Sequence, residues 1–385
     1  MAALSAPNSR SSLRVFIPDG NFPDGNYNHT LMVTRCLVRG SIADDVAVHV
    51  GVGAEVPRAL RLSRHVAGIH PLPQAADEPA FGRAVVEVAN RIGADVVLPI
   101  SQDGHRLVAQ VRHRFGDGIA LVPLSDGPTL QVARDKGRLI AFMRAHGIPH
   151  PPAIPLAPRA TLPERLRGLS FPVLVKATRS KGGKHIFRCD EAAEVVRWAR
   201  TRPEDRDYVV QSFVAGTDVC YCVLAEEGQV QAYTIQQDIA PPAAPFAPLE
   251  FIRFVHDDRV EAVGRALVEA LGFSGMACID LRYNVNRSSV AVLEINPRVW
   301  GSLLGSLRAG VNFPDLACRV ALGLPIDVTP YTTTEYSVGE VGLKHVWRTV
   351  RRGIPLRDSC MAYGLDDPLP DLAEFARMKL QRLTG

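Results

Sequence analysis

The first 125 residues alternate short apolar runs with helical patterns, and this alternation leaves few folds open to the chain. Patterns with helical spacing lie at residues 28–39 and 81–92. They separate four apolar runs that we interpret as buried strands, at residues 13–17, 46–50, 94–100 and 119–122. Strands that alternate with helices indicate βαβ units and an open parallel sheet. Ligands of such sheets bind outside the carboxyl ends of the strands.

The pattern changes after residue 146. A helix predicted over residues 129–146 ends at Gly147, and a proline-rich linker follows at residues 149–158. A further helix is predicted over residues 258–271. The remaining apolar runs predict strands at residues 173–177, 185–188, 208–213, 219–225, 230–235, 276–283 and 290–295. The middle of the chain is therefore expected to be richer in β structure than its beginning.

A chain of 385 residues is too long for one small core, so we expect two or three domains. The expected fold is α/β, with a parallel N-terminal domain followed by two α+β lobes. The predicted divisions are a disordered tail at 1–12, the N-terminal domain at 13–125, the main region at 126–325 with a small lobe at about 150–215, and a C-terminal extension at 326–385.

Composition argues against several classes of protein. The net charge of +4 is dispersed along the chain, whereas nucleic-acid binding usually needs a concentrated basic patch. No apolar run approaches the roughly 20 residues of a membrane span, and residues 1–12 lack the apolar stretch of a signal peptide. We therefore expect a cytoplasmic protein. Cys220 and Cys222 share one face of a predicted strand, and we interpret them as core cysteines in a reduced compartment.

The run LEINPR at residues 293–298 is the strongest local signal for chemistry. Alternate residues of a strand share a face, so Glu294 and Asn296 project together. Asp280, near the end of the preceding strand, is placed to add a third oxygen ligand. Such ligands suit Mg²⁺ that bridges nucleotide phosphates. The alternative is that these residues are simply polar positions on an exposed strand.

Two further segments favour a nucleotide site. An apolar strand ends at Lys176 and is followed by the loop RSKGGKHI at residues 179–186, which has the lysines and glycines of a phosphate lid. The strand and connector VVQSFVAGTD at residues 209–218 offers backbone groups for an adenine edge, and Asp218 is placed for ribose hydroxyls. An exposed basic hairpin and a strand that leaves a domain are the alternatives.

Taken in this order, these motifs resemble the ATP-grasp superfamily over residues 13–323. Asp135 and Lys136, followed by GIP at residues 147–149, resemble the start of its nucleotide-binding region. The runs NPRVWGS at residues 296–302 and AGVNFP at residues 309–314 resemble its carboxylate–amine ligase branch.

The resemblance implies roles for individual residues. Lys136 and Lys176 would contact the α- and β-phosphates of ATP. Arg298 would contact the transferring phosphoryl group or the acyl phosphate. A lid over the β- and γ-phosphates would consist of Ser180, Lys181, Gly182, Gly183, Lys184 and His185. Adenine would be read by the backbone of Gln211, Ser212, Phe213 and Val214, and the ribose would be contacted by Asp218. The ligands of two Mg²⁺ ions, for which Mn²⁺ can substitute, would be Asp280, Glu294 and Asn296.

Two of these positions depart from the family pattern. Many relatives carry an acidic residue where this chain has Gln211 and Ser212, and the first metal position is often Glu where this chain has Asp280.

The implied function is a ligase that phosphorylates a carboxylate and passes the acyl group to an amine, with amino acids as the first substrates to consider and a homodimer compatible with the sequence. A kinase or carboxylase on the same scaffold and a non-catalytic ATP-binding regulator remain alternatives. Asp19 and Asp103, at strand ends, and Arg253, beside the proline-rich stretch at residues 241–248, are candidate substrate contacts, with a solvated position as the alternative for Arg253. His105, His185 and His256 are candidates for a general base, and a surface position is the alternative for each. Trp300 is interpreted as a core residue. The basic stretch at residues 338–352 would cover the substrate site, form a dimer face or pack as a closing helix, and residues 372–383 predict a last helix.

Overall fold

The computed structural model describes residues 10–20, 27–180, 185–202, 207–240, 250–284, 286, 289–327, 329–339 and 343–384. These residues form three sheets. The first is a parallel five-stranded sheet of order β3-β2-β1-β4-β5, the second a four-stranded sheet of order β6-β9-β7-β8, and the third a six-stranded sheet of order β14-β13-β10-β11-β12-β15. No described helix is long and apolar enough to cross a bilayer.

The parallel sheet confirms the predicted N-terminal α/β domain. Its strands are β1 (Arg10–Ile17), β2 (Ala43–Val52), β3 (Val66–Pro71), β4 (Val96–Val97) and β5 (Ala120–Leu121). Its helices are α1 (Tyr27–Leu37), α2 (Arg58–Leu62), α3 (Glu78–Ile92) and α4 (Gln102–Val111). Three of these elements were not predicted: the short helix α2, strand β3 and helix α4. Strand β3 lies at the sheet edge and lacks a continuous apolar run, and α4 begins where Ser101 caps the N–H of Gly104.

The helix predicted over residues 129–146 is two helices, α5 (Gly127–Arg134) and α6 (Lys136–Ala145). Asp135 separates them because its backbone is extended and its carboxylate accepts from the N–H groups of Gly137 and Arg138. A side-chain cap of this kind starts a new helix. The break places Lys136 at the first position of α6, where it faces the rest of the site.

The small lobe is the four-stranded sheet with its helices. Its strands are β6 (Ala153–Pro155), β7 (Val173–Ala177), β8 (Ile186–Cys189) and β9 (Tyr208–Ser212), and its helices are α7 (Leu162–Arg165) and α8 (Ala192–Arg200). The proline-rich stretch interpreted as a linker thus contains a short edge strand. The lobe has its own apolar core, to which β7, β9 and α8 contribute Val173, Val210 and Val195.

The central sheet carries the later motifs. Its strands are β10 (Asp218–Glu226), β11 (Gln229–Asp238), β12 (Phe251–Val255), β13 (Gly275–Tyr283), β14 (Val290–Asn296) and β15 (Glu335–Ser337). Helix α9 (Asp258–Leu271) packs against one face, where Tyr221, Ile279 and Ile295 are buried. The other face is partly polar and carries the site described below. Helices α10 (Leu303–Ala309) and α11 (Phe313–Ala321) follow β14.

The end of the chain is tied to both larger sheets. Strand β15 pairs with β12, so the segment from residue 326 onward contributes an edge strand to the central sheet. Helix α12 (Leu343–Arg351) packs its buried His345 and Thr349 against Ser337, which hydrogen-bonds to both. Helices α13 (Met361–Gly364) and α14 (Pro368–Thr384) complete the chain. The described part of the basic stretch at residues 338–352 thus contains a packed helix, α12, in agreement with one of the three alternatives for this stretch.

The N-terminal domain and the central sheet share one apolar core. Val15 and Val50 of the parallel sheet belong to the same cluster as Cys222, Phe254 and Trp300. Trp300 packs edge-on against Phe313, with ring centroids 4.8 Å apart, which confirms its predicted role in the core. The two parts are thus packed as a single unit, whereas the small lobe has a separate core.

Candidate active site

The three predicted metal ligands lie side by side on one face of the central sheet. The pairing of β13 with β14 sets Asp280 opposite Glu294 and Cys278 opposite Asn296. The amide nitrogen of Asn296 donates to Asp280 Oδ2 at 3.0 Å and to Glu294 Oε1 at 3.3 Å. Two carboxylates and a carboxamide therefore meet at one place, and with the carboxamide oxygen turned toward the carboxylates they would form a donor set that suits Mg²⁺.

The two carboxylates influence each other's pKa. Burial, followed by the charges of Cys278 and Glu294, raises the pKa of Asp280 well above its usual range. Burial would also raise the pKa of Glu294, but Lys136 and Lys176 outweigh it and lower that pKa. The pair therefore does not carry two full negative charges without a compensating cation. A divalent cation between the carboxylates would supply that compensation.

Both predicted phosphate lysines reach the same site from different elements. Lys136 Nζ, at the start of α6, lies 3.0 Å from Glu294 Oε2. Lys176 Nζ, on β7, donates to the Gln211 Oε1 atom at 2.8 Å, and both residues are buried. Burial lowers the pKa of Lys176 to about 8. The glutamine that replaces the family's usual acidic residue thus holds a lysine side chain in place.

The predicted adenine and ribose contacts follow strand β9. Gln211 and Ser212 are buried, and Phe213 and Val214 are half-buried at the connector between the small lobe and the central sheet. The N–H of Phe213 already donates to the carbonyl of Pro172 at 2.9 Å. Asp218 lies 3.4 Å from the Arg282 guanidinium, and burial raises the pKa of its carboxyl.

A cleft of about 1180 Å³ opens beside these residues. Arg298 lines it together with Glu294 and Asn296, so the three polar residues of the LEINPR run face one space. Its walls are strongly basic: the Lys and Arg residues that line it are Arg106, Arg134, Lys136, Arg138, Arg179 and Arg298. Such a cleft attracts anionic ligands.

The predicted lid is described only at its two ends. Ser180 and His185 line the cleft, and the carbonyl of Ser180 accepts from Lys136 Nζ at 3.3 Å. Lys181, Gly182, Gly183 and Lys184 lie outside the described residues.

Several expected substrate contacts have structural roles instead. Asp19 is fully buried and accepts from the N–H groups of Ile100 and Ser101, so it joins the ends of β1 and β4 and does not face the cleft. Burial raises the pKa of Asp19 to about 6. Asp103 forms ion pairs with Arg106 and Arg134.

The interpretation of the histidines was wrong for His105. That residue lies on α4, is buried, and its Nε2 accepts from the N–H of Ser125 at 2.9 Å. His256 is exposed and stacks on Tyr331, with ring centroids 4.2 Å apart. His185 is exposed as well, so the surface interpretation holds for these two.

The expected substrate contact at Arg253 was also wrong. Strand register sets Arg253 opposite Gln237. The neighbouring residue, Gln236, lies opposite Cys220, and Cys220 in turn lies opposite Asp280. Neighbouring positions of a strand face opposite sides, so Arg253 lies on the other face of the sheet. There it forms an exposed ion pair with Glu335.

Sequence reasoning missed two residues of this site. Arg282 lies two positions after Asp280 on β13, pairs with Asp218, and places its guanidinium 5.0 Å from the centre of the Phe213 ring. The period of two from Asp280 was a signal that could have identified it. His29, on α1, lines the cleft, and burial together with the Arg298 charge lowers its pKa to about 4. No local pattern marks His29.

Comparisons with known proteins agree with this geometry. Residues 205–342 match the family model described as ATP-grasp in the biosynthetic pathway with Ter operon. A stretch of 209 residues is 23% identical to the carbamoyl phosphate synthase large chain of Thermomicrobium roseum, and it covers 52% of this chain but only 19% of that protein.

Solved structures share the fold at low sequence identity. The L-amino acid ligase from Bacillus licheniformis superposes with a TM-score of 0.61 at 17% identity, covering 87% of this chain and 82% of its own. The biotin carboxylase domain of the Hydrogenobacter thermophilus 2-oxoglutarate carboxylase, solved as a dimer with MgADP and bicarbonate, gives 0.63 at 15% identity, covering 82% and 71%. Residues 205–342 thus match an ATP-grasp family model, and the fold of the chain is that of these solved structures.

Proposed function

We propose that this protein is an ATP- and Mg²⁺-dependent carboxylate–amine ligase that forms an amide or peptide bond through an acyl phosphate. The observation that carries the proposal is the meeting of Asp280, Glu294 and Asn296 with Lys136 at the cleft that Arg298 also lines. This set contains metal ligands and cations but no activated nucleophile. Phosphoryl transfer needs that combination, since it depends on positioning and on neutralising charge.

The chemistry follows from the leaving group. A carboxylate does not react with an amine because oxide would have to leave. In the proposed first step, a carboxylate oxygen of the substrate attacks the γ-phosphorus of ATP and ADP departs. In the second step, the amine nitrogen attacks the acyl carbon, phosphate departs, and the nitrogen loses a proton.

The residues of the site fit these two steps. Mg²⁺, held by Asp280, Glu294 and Asn296, would neutralise charge on the phosphates of the nucleotide. Lys136 and Lys176 add positive charge from the cleft wall and from β7. Arg298, which lines the cleft directly after the metal ligands, is placed to stabilise the negative oxygen that develops in both steps. The ends of the lid, Ser180 and His185, border the space from which water must be excluded.

The basic cleft supports anionic substrates, and amino acids carry both the carboxylate and the amine that the reaction needs. The likeness to the L-amino acid ligase makes this class the first to test. The likeness to a biotin carboxylase domain makes bicarbonate the second acid to test.

The test is phosphate release from ATP and Mg²⁺ with amino acids, other small carboxylic acids, amines and bicarbonate, offered singly and in pairs. If the protein is a ligase, phosphate release should require an acid and an amine together, and mass spectrometry should detect an amide product. Release with one acid alone indicates a kinase, and release that requires bicarbonate indicates a carboxylase. ATP binding without release under any condition would favour a regulatory protein and contradict the proposal.

The same assay with matched variants assigns any activity to this site. Asp280→Asn removes one predicted metal ligand, and Asp45→Asn makes the same change at an exposed position of β2. We expect activity to be lost in the first variant and kept in the second.

A further inference from the structure

Two thiols lie against one of the predicted magnesium ligands. The pairing of β10 with β13 sets Cys220 opposite Asp280 and Cys222 opposite Cys278. All four residues therefore share the sheet face that carries Glu294 and Asn296. The two strands are far apart in sequence, since 56 positions separate Cys222 from Cys278. The spacing of residues in the sequence therefore does not predict this group.

The distances within this group match the edges of a metal coordination shell. Cys220 Sγ lies 3.3 Å and Cys278 Sγ 3.6 Å from Asp280 Oδ1. All three ligand atoms lie within 4.8 Å of one another. Around a tetrahedral Zn²⁺ ion with Zn–S of about 2.3 Å and Zn–O of about 2.1 Å, neighbouring ligand atoms are roughly 3.5–3.8 Å apart. The 3.6 Å separation lies within this range and the 3.3 Å separation is slightly shorter, so small side-chain adjustments would complete the shell.

The thiols have no role in the magnesium site. Mg²⁺ takes oxygen ligands, whereas thiolates select softer cations such as Zn²⁺. A cysteine in an ordinary core behaves as a small apolar side chain. Cys220 is only partly buried, however, and both Cys220 and Cys278 contact a carboxylate oxygen. The two thiols therefore border the apolar core on one side and a carboxylate on the other.

We propose that Cys220, Cys278 and Asp280 form a site for a thiophilic divalent cation such as Zn²⁺, next to the magnesium site and sharing Asp280 with it. Binding replaces the two thiol protons, which pass to solvent, and involves no change of oxidation state. The position of the fourth ligand belongs to water or to Cys222, whose Sγ lies 3.7 Å from Cys278 Sγ.

Sharing Asp280 has a consequence that rests on the proposed function. A Zn²⁺ ion that holds Asp280 takes one ligand away from Mg²⁺. Zn²⁺ should therefore inhibit ATP-dependent turnover, and additional Mg²⁺ should relieve the inhibition.

The first experiment measures the site without nucleotide. The reduced full chain, free of any histidine tag, is titrated with Zn²⁺ against a chromophoric chelator, and separately with Cd²⁺ to follow the thiolate-to-metal charge-transfer band. We expect Cys220→Ser and Cys278→Ser each to weaken Zn²⁺ binding by roughly a hundredfold, because each removes a direct ligand. Cys360→Ser, which changes a cysteine outside the group, should bind as the wild type does.

The charge-transfer band tests the wild-type chain itself, so the result does not depend on whether the serine variants fold. Absence of that band, or equal Zn²⁺ affinity in all four chains, would overturn the proposed site.

The second experiment measures Zn²⁺ inhibition at several Mg²⁺ concentrations, with each chain compared with its own zinc-free rate. Inhibition that Mg²⁺ relieves in the wild type, and that falls in Cys220→Ser, supports the sharing of Asp280. Zinc binding with no effect of Mg²⁺ would overturn the sharing. A chain that binds Zn²⁺ but shows no ligase activity contradicts the proposed function and leaves the metal site established.

Discussion

Lys136 Nζ and Glu294 Oε2 lie 3.0 Å apart and join the first residue of helix α6 to strand β14. The lysine that is predicted to hold phosphate therefore pairs with a predicted metal ligand. Because phosphate would compete for the lysine and Mg²⁺ for the carboxylate, ATP and Mg²⁺ should bind more tightly together than either does alone.

Glu294→Gln should raise the Mg²⁺ concentration that turnover requires. The amide keeps the shape of the side chain but removes its charge, and the Mg²⁺ concentration for half-maximal rate should rise at least about tenfold. Phosphate release over a range of Mg²⁺ concentrations measures this effect. Glu335→Gln, which removes the charge of an exposed ion pair on the same sheet, is the control and should leave the Mg²⁺ dependence unchanged. Equal Mg²⁺ dependence in both variants would contradict the assignment of Glu294.

The affinity for ATP should fall as the pH rises above about 8, the pKa to which burial lowers Lys176. Below that pH the amine carries its charge in the free protein; above it, binding must first restore the proton. The Kd for ATP should then rise by up to about tenfold per pH unit, as measured by calorimetry. Lys176→Arg keeps the charge and should flatten the profile. Lys344→Arg, at an exposed position of α12, should keep the wild-type profile. A profile that is as steep in Lys176→Arg as in the wild type would assign the proton to another group.

Arg298→Ala should bind ATP but lose about 10²–10³-fold in turnover, because its charge is needed where the negative oxygen develops. Calorimetry gives the ATP affinity, and phosphate release gives the rate. Arg308→Ala is the control, because it removes an arginine of α10 that pairs with Asp358. Near-normal turnover in Arg298→Ala would refute the role of this arginine.

Asp19→Ala should destabilise the protein without a matching change in the KM for substrate. The substitution leaves the N–H groups of Ile100 and Ser101 without their acceptor, which costs about 2 kcal/mol or more of unfolding free energy. Denaturant unfolding measures the loss, and Asp45→Ala, on the exposed face of β2, is the control. A higher KM at unchanged stability would restore Asp19 as a substrate contact.

The pH dependence of this effect has a definite sign. The pKa of Asp19 is about 6 in the folded protein against an ordinary 3.8, so the folded state holds the proton at pH values where the unfolded state has lost it. The contribution of Asp19 to stability therefore decreases as the pH rises from about 4 to 6. The difference in stability between the wild type and Asp19→Ala should shrink over that interval.

Strongly patterned elements could be predicted from the sequence, while edges and breaks could not. Strand β7 (Val173–Ala177) and helix α9 (Asp258–Leu271) have the predicted bounds, because continuous apolar or amphipathic spacing defines them. Strand β15 (Glu335–Ser337) was missed because its pairing with β12, and not its own three residues, makes it a strand. The break at Asp135 was missed because a capping side chain interrupts an otherwise continuous helical pattern.

The same distinction applies to the site. Glu294 and Asn296 could be placed together because two positions of one strand share a face. Their contact with Asp280 was expected from the neighbouring strand. The thiols of Cys220 and Cys278 could not be placed beside Asp280, since that depends on the register of β10 against β13. Arg253 was a candidate for the site because it lies beside a proline-rich stretch in the sequence, but register turns it to the opposite face.

The apolar cores divide the residues of the site between two parts of the molecule. The N-terminal domain and the central sheet are buried in one another, and Arg35 and Arg39 of α1 pair with Asp371 and Asp366. The small lobe has a core of its own, and it also contributes Ala153 and Val209 to the cluster that joins α6 to the central sheet. Lys176 therefore belongs to one part, while Asp280, Glu294 and Arg298 belong to the other. A ligand that contacts all four residues must bridge two separately packed parts of the chain.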